Sequence, residues 1–321
     1  MKRRTVVGFA TLAAFAVFFS YLTLTSGSVD ISWSSLFGDD GTSSSMARQI
    51  FWEIRFPRLV AAALSGICLS VSGLSLQSLF RNPLAGPFVL GISSGASLGV
   101  ALSLLAGLSF GHLGVLSSAA MGAFVVTAMI MAVASRFSSS TVLLVVGLLV
   151  GYFIDAMVSL LIVNSDAESL RVYVSWGMGS FGRLTFDSIY MFLGVTLAGL
   201  VLVACSVKYL NAVRLGDDFA RGLGVNVRLG RGLVLLGSSV LAAAATAFCG
   251  PVAFVGIAVP HLAFMLFRTS NHRVLLPGSA LCGIVLCSAA SLLQTLPLNA
   301  VLSLVGVPVV LWVIIRGGRI R

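Results

Sequence analysis

Long apolar runs alternate with short polar joints along almost the whole chain. They fall near 6–25, 57–80, 89–108, 113–134, 141–163, 188–207, 233–250, 253–268, 274–294 and 298–315. A helix needs roughly 20 apolar residues to cross the hydrocarbon core of a bilayer, so the pattern predicts an all-α protein of about ten transmembrane helices. The runs 253–268 and 298–315 are short, and Gly250-Pro251 interrupts the chain just before the first of them. Broken or short segments are tolerated in a membrane when they pack inside a bundle.

The second to fifth runs and the seventh to tenth runs form two blocks of four. Five helices separate their starts, so the blocks must cross the membrane in opposite directions, the arrangement of an inverted repeat. Each block carries small-residue runs followed by a proline-containing break, Asn82-Pro83-Leu84 and Pro260-His261-Leu262. Glycines inside the spans, among them Gly66, Gly73, Gly91, Gly95 and Gly99, predict close helix contacts.

Composition agrees with the pattern. Of 321 residues 58% are hydrophobic and 9% charged, against about 25% charged in soluble domains, and the mean hydropathy is +1.06. Residues 1–321 read as a single transmembrane domain. Met1–Arg4 with the apolar run behind it resembles a signal peptide, but the run is close to full-span length and lacks a convincing cleavage site, so an uncleaved first helix is expected. The net charge of +10 is a matter of topology rather than of nucleic acid. With the N-terminus inside, fifteen of the twenty Lys and Arg residues fall on the inner side, a strong positive-inside bias. The expectation is a multi-pass protein of a bacterial inner membrane with both termini cytoplasmic. The five cysteines lie in or beside apolar segments without a CxxC pair, which reads as packing rather than metal binding.

Against this background Leu215–Val225, LGDDFARGLGV, stands out as a polar island in the longest inner loop, about 208–232. It is too polar for lipid and too short for a domain, which suits a docking element for a soluble partner. The chain has no G-x4-G-K-[ST] phosphate loop, so ATP hydrolysis would belong to another chain. Asp155 is the one acid deep within an apolar run, and an intramembrane carboxylate is a functional candidate by default. It would line a pathway, pair with a base or sit protonated. The outer turn carries His112, more readily a polar turn residue than a haem ligand. Gly91-Ile-Ser-Ser-Gly95 matches the G-x-S-x-G elbow of serine hydrolases, but it opens a membrane helix and lacks an acid–histidine pair.

Several ordered motifs run through the chain: Arg55-x-Pro57-Arg58, Gly73-x3-Gln77, Arg81-Asn82-Pro83-Leu84-Ala85-x-Pro87 and Gly91-x-Ser93-x-Gly95-Ala96. The second half adds Leu215–Val225, GPVAFVGIAVPH (250–261), NHRVLLPGSAL (271–281) and LVGVPVVLWVI (304–314). In these blocks, which cover nearly the whole chain, the sequence resembles the permease subunits of ABC importers for ferric siderophores, haem and vitamin B12. The resemblance implies two copies of the chain around a shared pathway, two ATPase subunits below that hold ATP and Mg, and a soluble substrate-binding protein outside. No cofactor or metal would be held by this chain itself.

The same resemblance assigns roles. Leu215, Asp217, Asp218, Phe219, Arg221, Gly222 and Gly224 would form the cytoplasmic helices seated in the ATPase. Arg55 and Arg58 would dock the binding protein, while a third basic contact often found in the family is replaced here by Gln294, Leu296 and Asn299. Ser138-Ser139-Ser140-Thr141 falls at the cytoplasmic gate. Gln77, Asn82, Pro83, Pro260 and His261 are motif residues, and Phe264 stands where the family frequently has Arg. Asp155 is outside the family pattern. Two other readings stand beside this one: an ion-coupled secondary transporter using Asp155, and an intramembrane hydrolase using Ser93 or Asp155.

Overall fold

The computed structural model describes residues 2–27, 41–108, 114–137, 139–293 and 296–317, and among these every regular element is helical. Each predicted run forms a helix: α1 Lys2–Thr25, α3 Phe56–Phe80, α4 Ile92–Leu104, α5 Val115–Arg136, α6 Ser140–Val163, α8 Phe186–Cys205, α11 Val227–Cys249, α12 Val255–Phe267, α13 His272–Ser291 and α14 Leu298–Gly317. Four further helices lie at the ends of these: α2 Gly41–Ile50, α7 Ala167–Gly177, α9 Val207–Val213 and α10 Asp217–Gly222. A π-type turn over Phe51–Arg55 joins α2 to α3.

Helices α4 and α12 have thirteen residues each. At 1.5 Å per residue they reach about 20 Å, short of the roughly 30 Å hydrocarbon core. Each follows a break in the chain. A 3-10 turn at Pro87–Leu90 and Gly91 at φ 71° precede α4; Gly250 at φ 78° and Phe254 at φ 64° precede α12. The run expected at 89–108 is therefore a shorter helix, because Pro87 and Gly91 set the entry and the chain leaves the helix at Leu105.

The contacts follow the two blocks. Helices α3 and α11 pack on each other at the centre, and both are mostly buried. Around them the pairings interchange: α3 packs on α12 and α13 as α11 packs on α4 and α5, and α4 packs on α5 and α6 as α12 packs on α13 and α14. This is the inverted repeat. Helices α1, α5, α6 and α8 keep most of their surface outside this packing. Glycine makes the closest crossings possible. A Cβ on Gly73 would run into the backbone of Gly256, and Gly66 and Gly283 would each meet the other's carbonyl group.

One face gathers the N-terminus, the turn after α12 and the α8–α11 connection. Arg4 Nε donates to Leu266 O (3.1 Å), and Arg214 Nη1 donates to Ser270 O (2.8 Å). The opposite face carries the end of α1, Arg55, Arg58 and the segment 177–185.

Candidate coupling face and docking face

The polar island carries one short helix, α10, set off by glycine turns from α9 before it and α11 after it. Gly216 at φ 118° separates α9 from α10, and Gly224 at φ 74° separates α10 from α11. Gly222 is the last residue of α10 and has no positive φ, so the turn belongs to Gly224 alone. The connection is shorter than 208–232, because Asn226 caps α11 by accepting from Leu229 N (3.0 Å) and residues 227–232 are already helical. Leu215, Phe219 and Leu223 are 69%, 48% and 61% exposed. Three large apolar side chains are thus left open on a polar loop.

The charges of α10 divide into two kinds. Asp218 and Arg221 pair with each other across one turn at 2.9 Å, with both side chains in solvent. Such a pair contributes little to stability and can exchange partners. Asp217 turns inward instead. Its Oδ1 accepts from Arg81 Nη2 (3.1 Å) and its Oδ2 from Arg231 Nη2 (2.8 Å), and the Arg231 side chain is only 8% exposed. Tyr209 of α9 packs beneath, against Gly230, and burial raises its phenol above the ordinary tyrosine range.

The motif residues hold this face in place. Arg81 ends α3 in the left-handed region (φ 49°), Asn82 Oδ1 accepts from Leu84 N (2.9 Å), and Pro83 prevents continuation. Pro260 lies inside α12 and lacks the N–H that would reach the Gly256 carbonyl. Gln77 Nε2 fills that gap, donating to Gly256 O (3.5 Å) and Ile257 O (3.2 Å), and His261 Nδ1 donates to Ile257 O (2.7 Å). A buried carbonyl in a membrane needs such a donor. A second network ties α9 to both central blocks. His272 Nδ1 donates to Asn211 Oδ1 (2.9 Å), leaving Nε2 to accept from the Ser78 hydroxyl (2.6 Å).

The residues expected at the gate adjoin those expected to couple. Ser139 caps α6, its Oγ accepting from Val142 N at 3.4 Å, and Thr141 is exposed two residues on. Ser139 and Thr141 line a cleft of about 550 Å³ with Phe80, Arg81 and Leu215–Phe219. Ser138 and the Ser140 side chain lie outside the described residues, as does His112.

On the opposite face the two arginines part. Arg55 is buried, and its Nη1 donates to Leu24 O (2.7 Å) and Thr25 O (2.6 Å), the last carbonyls of α1. It caps that helix and ties it to α3. Arg58 is half-buried beside Gly182, in a recess shared with Gly179, Ser180 and Phe181, and has no acidic partner among the described residues. The recess wall is held by cross-links: Arg183 Nη1 donates to Trp176 O (3.0 Å) and Asn299 Nδ2 to Gly177 O (3.0 Å). Helix α7 starts on Asp166, whose carboxyl the Ser169 N–H holds below the usual carboxylate range. Tyr173 of α7 is hydrogen-bonded through its hydroxyl to Ser97 (2.6 Å). Asp155 is exposed on the open side of α6, with Tyr152 and Ser159 on the same stripe one turn to either side.

Sequence reasoning missed the Arg81–Asp217–Arg231 bridge, the Ser78–His272–Asn211 network and the Tyr173–Ser97 bond. The first had a signal: Arg231 sits within the opening turns of an apolar helix, where a cation calls for a nearby acid.

An inverted helical repeat with paired short helices and a short polar helix between its halves is the architecture expected of the permease subunit of an ABC transporter. The model of the FecCD transport family matches residues 12–316, and the chain belongs to that family. The hemin transport system permease HmuU of Yersinia pestis is 37% identical over 303 residues, covering 90% of each chain. The vitamin B12 import system permease BtuC of Salmonella typhi is 32% identical over 278 residues, covering 84% of each. A solved chain from an inward-facing transporter, described as of metal-chelate ABC type, superposes with a TM-score of 0.85 at 28% identity, covering 96% of this chain and 97% of that one.

Proposed function

We propose that this chain is the permease of an importer for a bulky iron chelate, haem or corrinoid, working as a homodimer in a bacterial inner membrane with both termini in the cytoplasm. The haem and vitamin B12 relatives support this cargo class. The observation that carries the reading is the cleft in which α10, Arg81 and the gate residues Ser139 and Thr141 adjoin. A push on α10 from below is felt at once at the mouth of α6. Leu215, Phe219 and Leu223 would enter a groove of the ATPase, and Asp218 and Arg221 would exchange their mutual pair for partners there. Arg58, rather than Arg55, would meet an acidic patch on the binding protein. Asp155, with Tyr152 and Ser159, would give the pathway wall of α6 its polar stripe.

The test is uptake in proteoliposomes containing this chain, its ATPase and its binding protein, with haem, a ferric siderophore and cobalamin supplied in turn. ATP-dependent uptake of one cargo that survives an ionophore is expected. Uptake that needs no ATP and collapses with the ion gradient would instead support coupling through Asp155.

A further inference from the structure

The acid that opens the coupling helix is turned away from the surface where an ATPase would sit. Its two oxygens hold two arginines from different halves of the repeat: Arg81 directly follows α3, and Arg231 lies in the second turn of α11. These are the two central helices, antiparallel to one another, so on this face the end of one stands beside the start of the other. We infer that Asp217 is a positioning residue that locks α10 to both halves at once, so that displacement of the coupling helix moves α3 and α11 as one body. The inference rests on the importer reading above.

The chemistry is specific to a carboxylate. Each oxygen accepts from one guanidinium, whereas an amide of the same shape has one acceptor and one donor. Asp217→Asn therefore keeps the volume and necessarily loses one arm. The two arms also differ in kind. Arg231 is enclosed, so its pairing with Asp217 compensates a buried charge. Arg81 is 48% exposed, so its arm adds little to stability. Yet the Arg81 arm reaches the first half of the repeat and the cleft shared with Ser139 and Thr141. Cutting it separates transmission from folding.

The experiment measures cargo taken up per ATP hydrolysed in proteoliposomes of the full complex, for wild type, Arg81→Gln, Arg81→Lys and Asp217→Asn, with ATPase copurification and thermal stability alongside. Arg81→Gln is expected to keep its ATPase subunits, melting temperature and hydrolysis rate while uptake per ATP falls about fivefold or more. Arg81→Lys, which retains a cation for Oδ1, is expected to recover most of the ratio, and Asp217→Asn to fall at least as far as Arg81→Gln. An unchanged ratio in both Arg81→Gln and Asp217→Asn would overturn the inference. So would parallel losses of uptake and hydrolysis with departure of the ATPase, which would make the bridge purely structural. If wild type itself shows no ATP-driven uptake, the importer reading fails first, and that result is distinct from either.

Discussion

The crossing of α3 and α13 gives a quantitative test of the fold that carries the site. A Cβ added to Gly66 would stand 2.5 Å from the carbonyl carbon of Gly283 and 2.9 Å from the nitrogen of Ile284. Both neighbours are backbone, so neither can rotate away, and ordinary carbon contacts lie at about 3.5–4.0 Å. The helices must therefore separate by about 1 Å along one of the most extensive contacts in the protein. Overpacking of this kind costs about 1–3 kcal/mol, and the rigid backbone neighbours put Gly66→Ala at the upper end. Alanine regains about 1 kcal/mol of helix propensity over glycine, leaving a net loss of about 2 kcal/mol. By the scaling for large domains this lowers the melting temperature by roughly 4–8 °C. Gly194→Ala in α8 is the control, because a Cβ there meets nothing within 4 Å and only the propensity gain remains. The assay is thermal unfolding of both variants in one detergent at one scan rate. Gly66→Ala melting at or above Gly194→Ala would refute the close crossing.

Three further outcomes follow from individual side chains. Arg58→Glu should weaken capture of the binding protein, and wild-type capture should fall as salt rises, because charge attraction between approaching proteins is screened over about 8–10 Å at physiological salt; equal binding of both forms in a titration would exclude docking through Arg58. Gln77→Leu strips the donor from the Gly256 carbonyl that Pro260 leaves open, and should destabilise the protein by about 1–3 kcal/mol, read as a lower melting temperature; an unshifted midpoint would mean that this carbonyl finds another donor. Arg221→Glu breaks only a solvent-exposed pair, so stability should change by less than about 0.5 kcal/mol while uptake driven by ATP drops; full transport by a well-folded Arg221→Glu protein would remove Arg221 from the ATPase contact.

The helices were legible because lipid leaves the chain few options. Backbone groups in lipid must be paired inside the protein, and a helix pairs nearly all of its own, so long apolar runs translate directly into spans, and Pro87, Gly91 and Gly250 mark the breaks that shorten α4 and α12. The inverted repeat was legible by counting helices, while its proof needed the interchange of contacts around α3 and α11. Side-chain partners were less readable. Arg55 and Arg58 share one motif and one turn, and only the approach of the α1 C-terminus shows that Arg55 is drawn inward while Arg58 stays at the recess. Asp217 and Asp218 are adjacent, yet the helix rotates one toward Arg231 and the other into solvent. A rotation of about 100° between neighbours decides the role of each, and the long-range partner that fixes it is 14 residues away for Arg231 and 136 for Arg81.

The distribution of close and open packing bears on how such a protein could move. Glycine-to-backbone crossings at Gly66–Gly283 and Gly73–Gly256 lock α3, α12 and α13 together. Surfaces in that degree of contact do not slide by small amounts, since packed interiors switch between arrangements rather than deform. Helix α6 is different: much of its length faces outward, and its first turn is capped by a single long bond from Val142 N to Ser139. A displacement of α10 held to the core through Asp217 would therefore tilt the central helices as a unit, and the strain would reach the start of α6, a helix left mostly open. That is where Ser139 and Thr141 stand, and in the gate proposed here small hydroxyl side chains would let the mouth open without separating charges or exposing a large apolar surface.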